Sequence, residues 1–226
     1  ARIIENDEYP ELHRTVENLC SIAQIPKPRI AIMQSPMPNA FATGRSPNHA
    51  VVAVTDSIMA TLNRNELEAV LAHELAHVKN RDILTMTVAG FLAMIASMIM
   101  NNFLFASIFN REQGGAWIIA GIVAAVVWVI ATLLMMALSR YREFAADRGA
   151  AYITEDPDAL ISALQKISGK MDRVPVQTRA AAEGANAFYI IPAISGKSLA
   201  ALFSTHPALE KRIENLEKVR EEIRGY

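Results

Sequence analysis

The sequence predicts an α+β fold that is mostly helical, with a small antiparallel sheet and a hydrophobic two-helix hairpin inserted between other helices. Three observations support this fold class. Several segments carry apolar residues at helical spacing, three short strand-like runs lie in the N-terminal part, and two long apolar blocks occupy residues 83–110 and 116–138. A chain of 226 residues is long enough to bury one core. We therefore expect a single domain, residues 1–226, that contains both apolar blocks.

Outside the apolar blocks, the chain alternates between helix and strand patterns. Helices are predicted over residues 10–24, 63–78, 140–152, 156–169 and 207–223, and strands over residues 29–33, 40–43 and 50–54. Asn63 or Asn65 is a candidate N-cap for the second of these helices, and Asp156 is one for the fourth. Residues 169–196 have no regular pattern, so we expect a long loop there, which is a candidate lid over a cleft.

The composition excludes several classes of function. Lys and Arg number 22 and Asp and Glu 23, so a net charge of −1 provides no basic field that would bind nucleic acid. The single cysteine, Cys20, excludes internal disulfides and a cysteine-built zinc ribbon. Its apolar neighbours at helical spacing predict a place in the core. Hydrophobic residues make up 52% of the chain, and most of the excess lies in the two apolar blocks.

The two apolar blocks are predicted to span a lipid bilayer. Neither contains a charged residue, and about 20 apolar residues suffice for a spanning helix. Trp117 lies where an interfacial anchor is expected. The alternative is a buried hairpin in a soluble protein, but a small domain rarely has enough surface to enclose two fully apolar helices.

The charges beside the hairpin predict its orientation. The outer flanks carry Lys79, Arg81, Arg140, Arg142 and Arg148, whereas the turn between the blocks carries one positive and one negative charge. By the positive-inside rule, both outer flanks face the cytoplasm. The chain begins without Met or an apolar signal segment, so we expect a fragment or a processed chain.

One motif carries recognisable chemistry. Residues 73–77 read His-Glu-Leu-Ala-His within the second predicted helix. Positions i and i+4 share a helix face, so His73 and His77 can bind one metal ion, and Glu74 can accept a proton from water activated there. The alternative is two surface histidines with a coincidental glutamate. The apolar neighbours of the motif argue against that alternative.

A catalytic zinc site needs a third protein ligand, and no histidine follows His77 at close spacing. The best candidate is Glu143, one helical turn before Asp147, whose carboxylate can accept the other ring N–H of a ligand histidine. The alternative is an exposed helix face that pairs with neighbouring arginines. Two membrane crossings return the chain to the side it left, so His77 and Glu143 are expected on the same side of the bilayer.

Four sequence blocks together carry a resemblance to a known family: PNAFATG at 38–44, HELAH at 73–77, REFAAD at 142–147 and THP at 205–207. In these blocks the chain resembles the HtpX-like membrane zinc metallopeptidases, gluzincins related to the CAAX prenyl endopeptidases. The resemblance implies a zincin-like catalytic domain with one zinc ion. It also implies a multi-pass endopeptidase of the bacterial inner membrane, with further spans before residue 1.

The same resemblance implies a biological role. The active site would face the cytoplasm and hydrolyse peptide bonds of misfolded or damaged membrane proteins, as part of protein quality control under stress. The expected partners are protein or peptide substrates and the lipid bilayer, with no nucleic acid.

Two further roles come from the family. Asn39, Ala40 and Phe41 resemble its edge strand, which pairs with an extended peptide substrate through backbone hydrogen bonds; the alternative is an ordinary turn and strand. His206, directly before Pro207, would stabilise the oxyanion that forms when water attacks the peptide carbonyl. The alternative for His206 is a surface histidine at a helix end.

Tyr152 and Tyr189 are weaker candidates for stabilising the oxyanion, and His13 and His49 are expected to play no part.

The mechanism expected from these residues is metal-assisted peptide hydrolysis, with Glu74 as the general base that later protonates the leaving amine. Two rival functions differ in class. A prenyl-protein processing enzyme would need a large membrane chamber, for which two spans are too few. A non-catalytic membrane scaffold would have no need for Glu74 beside both histidines.

Overall fold

The computed structural model describes residues 1–109, 114–175 and 207–225. The elements follow in chain order: β1 (Arg2–Ile3), α1 (Pro10–Ala23), β2 (Arg29–Met33), β3 (Ala40–Thr43), a short 3-10 helix (Pro47–His49), β4 (Val51–Thr55), α2 (Asp56–Thr61), α3 (Arg64–Lys79), α4 (Asp82–Phe109), α5 (Gly114–Thr154), α6 (Pro157–Met171) and α7 (Leu209–Arg224). They form two compact units. The first comprises Ala1–Ile83 and Arg140–Tyr226, and the second Leu84–Ser139.

The sheet of the first unit has the strand order β1-β2-β4-β3. The three predicted strands are confirmed, and β1, which has only two residues, is an addition. The sheet is mixed rather than purely antiparallel, because β2 and β4 run parallel while β1–β2 and β3–β4 are antiparallel. The parallel pair arises because the chain passes through β3 and the 3-10 helix before it returns to pair with β2. Strand β3 consequently lies at an edge of the sheet.

The predicted helices of the first unit form, and side-chain caps fix two of their starts. Asn63 caps α3 through a capping box, in which the Glu66 N–H donates to Asn63 Oδ1 at 2.9 Å and the Asn63 N–H donates to Glu66 Oε2 at 2.8 Å. Asp156 accepts from the Ala159 N–H at 3.0 Å and caps α6. Helix α2 was not predicted, although the Thr55 hydroxyl caps it.

The core of the first unit lies between the sheet and the helices α1, α3, α6 and α7. Its fully buried side chains come from all of these elements: Val16, Leu19, Ile30, Val52, Leu71, Leu75, Leu164, Ile167 and Leu216. Cys20 is buried among them, as predicted, and burial raises the pKa of its thiol to about 11. A thiol in this position packs as a small apolar group and stays protonated at neutral pH.

The second unit consists of apolar helix. Residues 82–103 of α4 and 119–154 of α5 contain stretches long and apolar enough to cross a membrane, with mean hydropathies of 2.1 and 2.6. In the most apolar windows, 0% and 11% of the residues are buried. Helices from the core of a soluble protein would be mostly buried, so these exposed apolar surfaces fit a membrane protein.

Helix α5 extends further than expected. The apolar block 116–138 and the predicted helix 140–152 form one helix of 41 residues, because the residues that join them include neither Gly nor Pro to end a helix. Most of the predicted loop 169–196 and the turn at 110–113 lie outside the described residues.

Candidate metal centre

Helix α3 carries the histidines and the glutamate of the sequence motif. His73 is 1% exposed, Glu74 is buried and His77 is half-buried. The capping box fixes where the helix begins, and its apolar residues, among them Leu71 and Leu75, hold it in the core. The Nε2 atoms of His73 and His77 lie 3.2 Å apart. One turn of helix therefore directs both ring nitrogens to the same point.

Helix α5 brings Glu143 to this point from a distant part of the sequence. Its Oε1 lies 3.6 Å from His77 Nε2, and its Oε2 lies 3.7 Å from His73 Nε2. The two helices approach closely at Gly149, where an added Cβ would lie 3.0 Å from Cβ of Ala76. One ligand atom from each of His73, His77 and Glu143 lies within 4.8 Å of the others. These three side chains are positioned to bind a metal ion.

The spacing and the donor types fit zinc. A tetrahedral zinc ion with ligands at about 2.0–2.1 Å separates its ligand atoms by about 3.3 Å. The observed separations of 3.2, 3.6 and 3.7 Å are close to this value. Two imidazoles and one carboxylate also leave a fourth position for water or substrate, as in catalytic zinc sites.

An aspartate and an arginine lie behind His73. Its Nδ1 is 2.9 Å from Oδ1 of the fully buried Asp147, although the ring N–H is not aligned well enough for a standard hydrogen bond. Arg212, which is 2% exposed, donates to both Asp147 oxygens, from Nε at 2.8 Å and from Nη2 at 2.6 Å. Burial acts to raise the pKa of Asp147, but the charge and hydrogen bonds of Arg212 outweigh it and lower that pKa. Asp147 is therefore held as a carboxylate.

A second aspartate lies behind His77. The Nδ1 of His77 donates to Oδ2 of the buried Asp82 at 2.5 Å, and Nε of Arg142 lies 3.2 Å from Oδ1 of the same carboxylate. Burial acts to lower the pKa of His77, but the bond to Asp82 and the charges of Glu143 and Glu74 outweigh it and raise that pKa. Each histidine thus has a carboxylate on its Nδ1 side, and each carboxylate has an arginine.

Glu74 contacts the sheet. The backbone N–H of Ala42, in edge strand β3, donates to Glu74 Oε2 at 2.9 Å. Burial is the main reason that the pKa of Glu74 is raised, and the charge of Glu143 adds to it, against the opposing effect of both histidines. A carboxylate with a raised pKa is a stronger base than an ordinary one.

The residues expected to bind substrate lie on or beside β3. Ala40 and Phe41 belong to the strand, and Asn39 directly precedes it. The Asn39 N–H donates to Thr55 Oγ1 at 2.9 Å, and its carbonyl accepts from the Thr55 N–H at 2.9 Å. These two bonds fasten the start of β3 to the end of β4. Side-chain burial differs, since Asn39 and Ala40 are buried and Phe41 is half-buried.

Of the other candidates, Tyr152, His49 and His13 lie among the described residues, and none of these three belongs to the cluster. Tyr152 is exposed and donates from its hydroxyl to Glu222 at 3.0 Å. His49 is exposed beside Ser46, and His13 is buried in α1. His206 and Tyr189 lie outside the described residues.

Sequence reasoning missed three residues of this cluster. Asp82 was not among the predicted site residues, although its position five residues after His77 is a usable signal. Arg142 was counted as a flank charge. Arg212 is separated from Asp147 by 65 residues. A signal for Arg212 was its place four residues before Leu216, on the buried side of an amphipathic helix.

Comparison with known proteins agrees with this geometry. The profile of peptidase family M48 matches residues 6–220. The protein Protease HtpX homolog 2 of Methanosarcina acetivorans is 56% identical over 226 residues, which cover 99% of this chain and 77% of that protein. Protease HtpX homolog of Moorella thermoacetica is 50% identical, covering 99% and 76%, and that of Pyrococcus furiosus is 47% identical, covering 99% and 78%.

A solved structure shows the same fold. The crystal structure of S. mikatae Ste24p matches with a TM-score of 0.60 over 95% of this chain. The match spans about half of that protein (51%) at 18% identity, so it supports the fold alone. The family match and the HtpX relatives cover nearly the whole chain, and the two apolar helices and the His-His-Glu cluster agree with them. The chain therefore belongs to peptidase family M48, among the HtpX-type membrane metalloproteases.

Proposed function

We propose that this chain is a zinc-dependent endopeptidase that hydrolyses peptide bonds of misfolded or damaged membrane proteins on the cytoplasmic side of the membrane. The observation that carries the proposal is the cluster of His73, His77 and Glu143, in which only His77 is half-buried, with the carboxylate of Glu74 beside it. The protease names of its relatives support the reaction class. The donor set supports zinc as the metal.

In this proposal His73, His77 and Glu143 hold the ion, and Asp147 orients His73. Bound zinc supplies a Lewis acid that activates water and polarises the scissile carbonyl. Glu74 accepts the proton of the attacking water and passes it to the leaving amine. Its raised pKa, caused mainly by burial, makes it a stronger base toward the attacking water.

The edge strand β3 is the proposed binding site for substrate. An extended peptide can add to a sheet edge through backbone hydrogen bonds, and Asn39, Ala40 and Phe41 are the proposed contacts. Support comes from the bond between Ala42 and Glu74, which places this strand next to the proposed base. His206, directly before Pro207, is the proposed oxyanion donor, as the resemblance to the family implies.

Residues 1–226 are proposed to act as one metallopeptidase domain that crosses the cell membrane through α4 and α5. Two crossings place both flanks of the hairpin, and with them the proposed metal ligands, on one side. The basic residues of those flanks favour the cytoplasmic side. Because the relatives include archaeal proteins, we propose the cell membrane of a bacterium or an archaeon as its location, and not a bacterial inner membrane alone.

The experiment is a cleavage assay on the full chain in detergent. An unfolded casein-like protein should be cut by the wild type and by the surface variant Asp158→Asn, and it should not be cut by Glu74→Gln or in the presence of a chelator. To test the substrate class, a membrane-anchored reporter with a cytoplasmic segment would be offered in folded and in unfolded form. We expect the unfolded form to be cleaved preferentially. Cleavage confined to prenylated peptides would favour the processing enzyme, and no cleavage with metal bound would favour the scaffold.

A further inference from the structure

Asp82 is placed to fix the orientation of His77. It accepts the Nδ1–H of His77 at 2.5 Å, and the opposite ring nitrogen, Nε2, lies 3.2 Å from His73 Nε2. A carboxylate on the Nδ1 side selects the tautomer whose Nε2 lone pair is free to bind a metal. Asp82 is 4% exposed, so water competes little for its oxygens.

Arg142 holds Asp82 from the opposite helix. Its Nε lies 3.2 Å from Asp82 Oδ1, within ion-pair distance although not aligned for a standard hydrogen bond, while the other oxygen of the carboxylate faces His77. Arg142 is also the residue directly before Glu143 on α5. Through Asp82, the ion pair therefore connects α5, which bears Glu143, to His77 on α3.

The position of the pair in the chain gives it a second role. The first unit is interrupted between Ile83 and Arg140, where the chain leaves it and returns. Asp82 is the first residue of α4, and Arg142 follows closely after the return point. The ion pair thus joins two residues of the first unit, one next to the point where the chain leaves it and one close to the point where the chain returns.

We propose that Asp82 is a positioning residue for His77, and that Arg142 supports it by fixing the Asp82 carboxylate between the two helices. The inference rests on the proposed metal site and adds residues that act through His77 without touching the ion. Carboxylates in this position usually contribute about 10–100-fold to metal affinity. The zinc affinity of the chain should therefore depend on a residue at the start of a membrane-spanning helix.

The test measures Zn²⁺ affinity by chelator competition on the full chain in detergent, and it records the visible absorption spectrum with Co²⁺ in place of Zn²⁺. Asp82→Ala should weaken Zn²⁺ binding by about 10–100-fold and change the Co²⁺ spectrum. Asp82→Asn keeps an acceptor for His77, so it should weaken Zn²⁺ binding less than Asp82→Ala. Arg142→Gln should shift affinity in the same direction, and Arg142→Lys should recover part of the loss. The matched control is Asp158→Asn, which removes an exposed carboxylate paired with Arg220 and Arg224.

Melting temperatures with chelator present separate positioning from folding. Variants that melt like the wild type when metal-free but bind Zn²⁺ more weakly support the proposal. Affinity and Co²⁺ spectra unchanged within about twofold in Asp82→Asn and Arg142→Gln would overturn it, and these milder variants keep the test decisive if Asp82→Ala does not fold. Failure of the wild type itself to bind Zn²⁺ would instead contradict the proposed metal site.

Discussion

The backbone N–H of Ala42 donates a hydrogen bond of 2.9 Å to the Oε2 atom of Glu74. The bond joins an edge strand to a buried carboxylate that lies next to the candidate metal ligands. Because the donor is a backbone group, every residue except proline supplies it at position 42. It fixes one oxygen of Glu74 relative to the strand on which a substrate is proposed to lie.

Replacing Ala42 with Pro removes this donor. Proline is tolerated on an edge strand where its missing N–H is not needed for pairing, so the sheet should form while Glu74 loses a bond that restrains it. We expect kcat to fall by about 10-fold or more, on the scale of losing one hydrogen bond to a charged group, with metal content unchanged. Ala42→Ser keeps the N–H and is the control. Equal kcat values for the two variants would show that the bond does not restrain the base.

Replacing Arg212 with Met should destabilise the first unit strongly. The Asp147 carboxylate is fully buried, and Arg212 donates to both of its oxygens. Removing one partner of a buried ion pair costs about 3–5 kcal/mol, because the remaining charge is left without compensation. A thermal melt of the metal-free chain measures the loss.

Two variants act as controls for Arg212. Arg220→Met removes an arginine from the same helix that pairs at the surface with Asp158, and it should change stability far less. The double variant Arg212→Met with Asp147→Asn should recover part of the lost stability, since the buried charge of Asp147 is then removed together with its main partner. A double variant no more stable than Arg212→Met would mean that lost packing, and not the unpaired charge, causes the effect.

Glu66 should make stability depend on pH in the acid range. Burial acts to raise its pKa, but hydrogen bonds from Lys166, Ser162 and the Asn63 backbone outweigh it and lower the pKa below its ordinary value of 4.5. A carboxyl whose pKa is lower in the folded chain than in the unfolded chain stabilises the fold. This stabilisation is fully present above the pKa of the unfolded chain and is lost as the pH falls through the pKa of the folded chain. Glu66→Gln should therefore lower the free energy of unfolding by about 1–2 kcal/mol at pH 7. Below pH 4.5, the difference in free energy of unfolding between this variant and the wild type should become smaller.

The measurement for Glu66 compares free energies of unfolding of wild type and Glu66→Gln in chelator at pH 7 and at several values below 4.5. Comparing two chains at each pH cancels the titration of the carboxyls they share. A difference that stays constant down to the lowest pH would show that the charge of Glu66 is not what stabilises the fold.

The parts of the site that sequence could predict are those encoded by local spacing. His73 and His77 are one helical turn apart, and Glu143 and Asp147 repeat that spacing, so periodicity alone places each pair on one helix face. The capping box at Asn63 is likewise a short-range pattern. Such features depend on neighbours within a few residues.

The parts that sequence did not predict depend on how distant segments meet. The contact of Arg212 with Asp147 crosses 65 residues, and no local pattern specifies it. Strand patterns predict β2 and β4 but not their parallel pairing, which is set by the path of the connection. Asp82 lies only five residues after His77, but the contact between them depends on how the turn between α3 and α4 folds.

The central claim, a catalytic metal site built from His73, His77 and Glu143 with Glu74 as base, is tested most directly by elemental analysis. Wild type, Glu143→Ala and Glu74→Gln would be purified side by side in detergent and assayed for cleavage of an unfolded protein. We predict one zinc per chain in the wild type and in Glu74→Gln, loss of zinc in Glu143→Ala, and cleavage by the wild type alone. Zinc retained in Glu143→Ala, or wild-type cleavage by Glu74→Gln, would contradict the assignment.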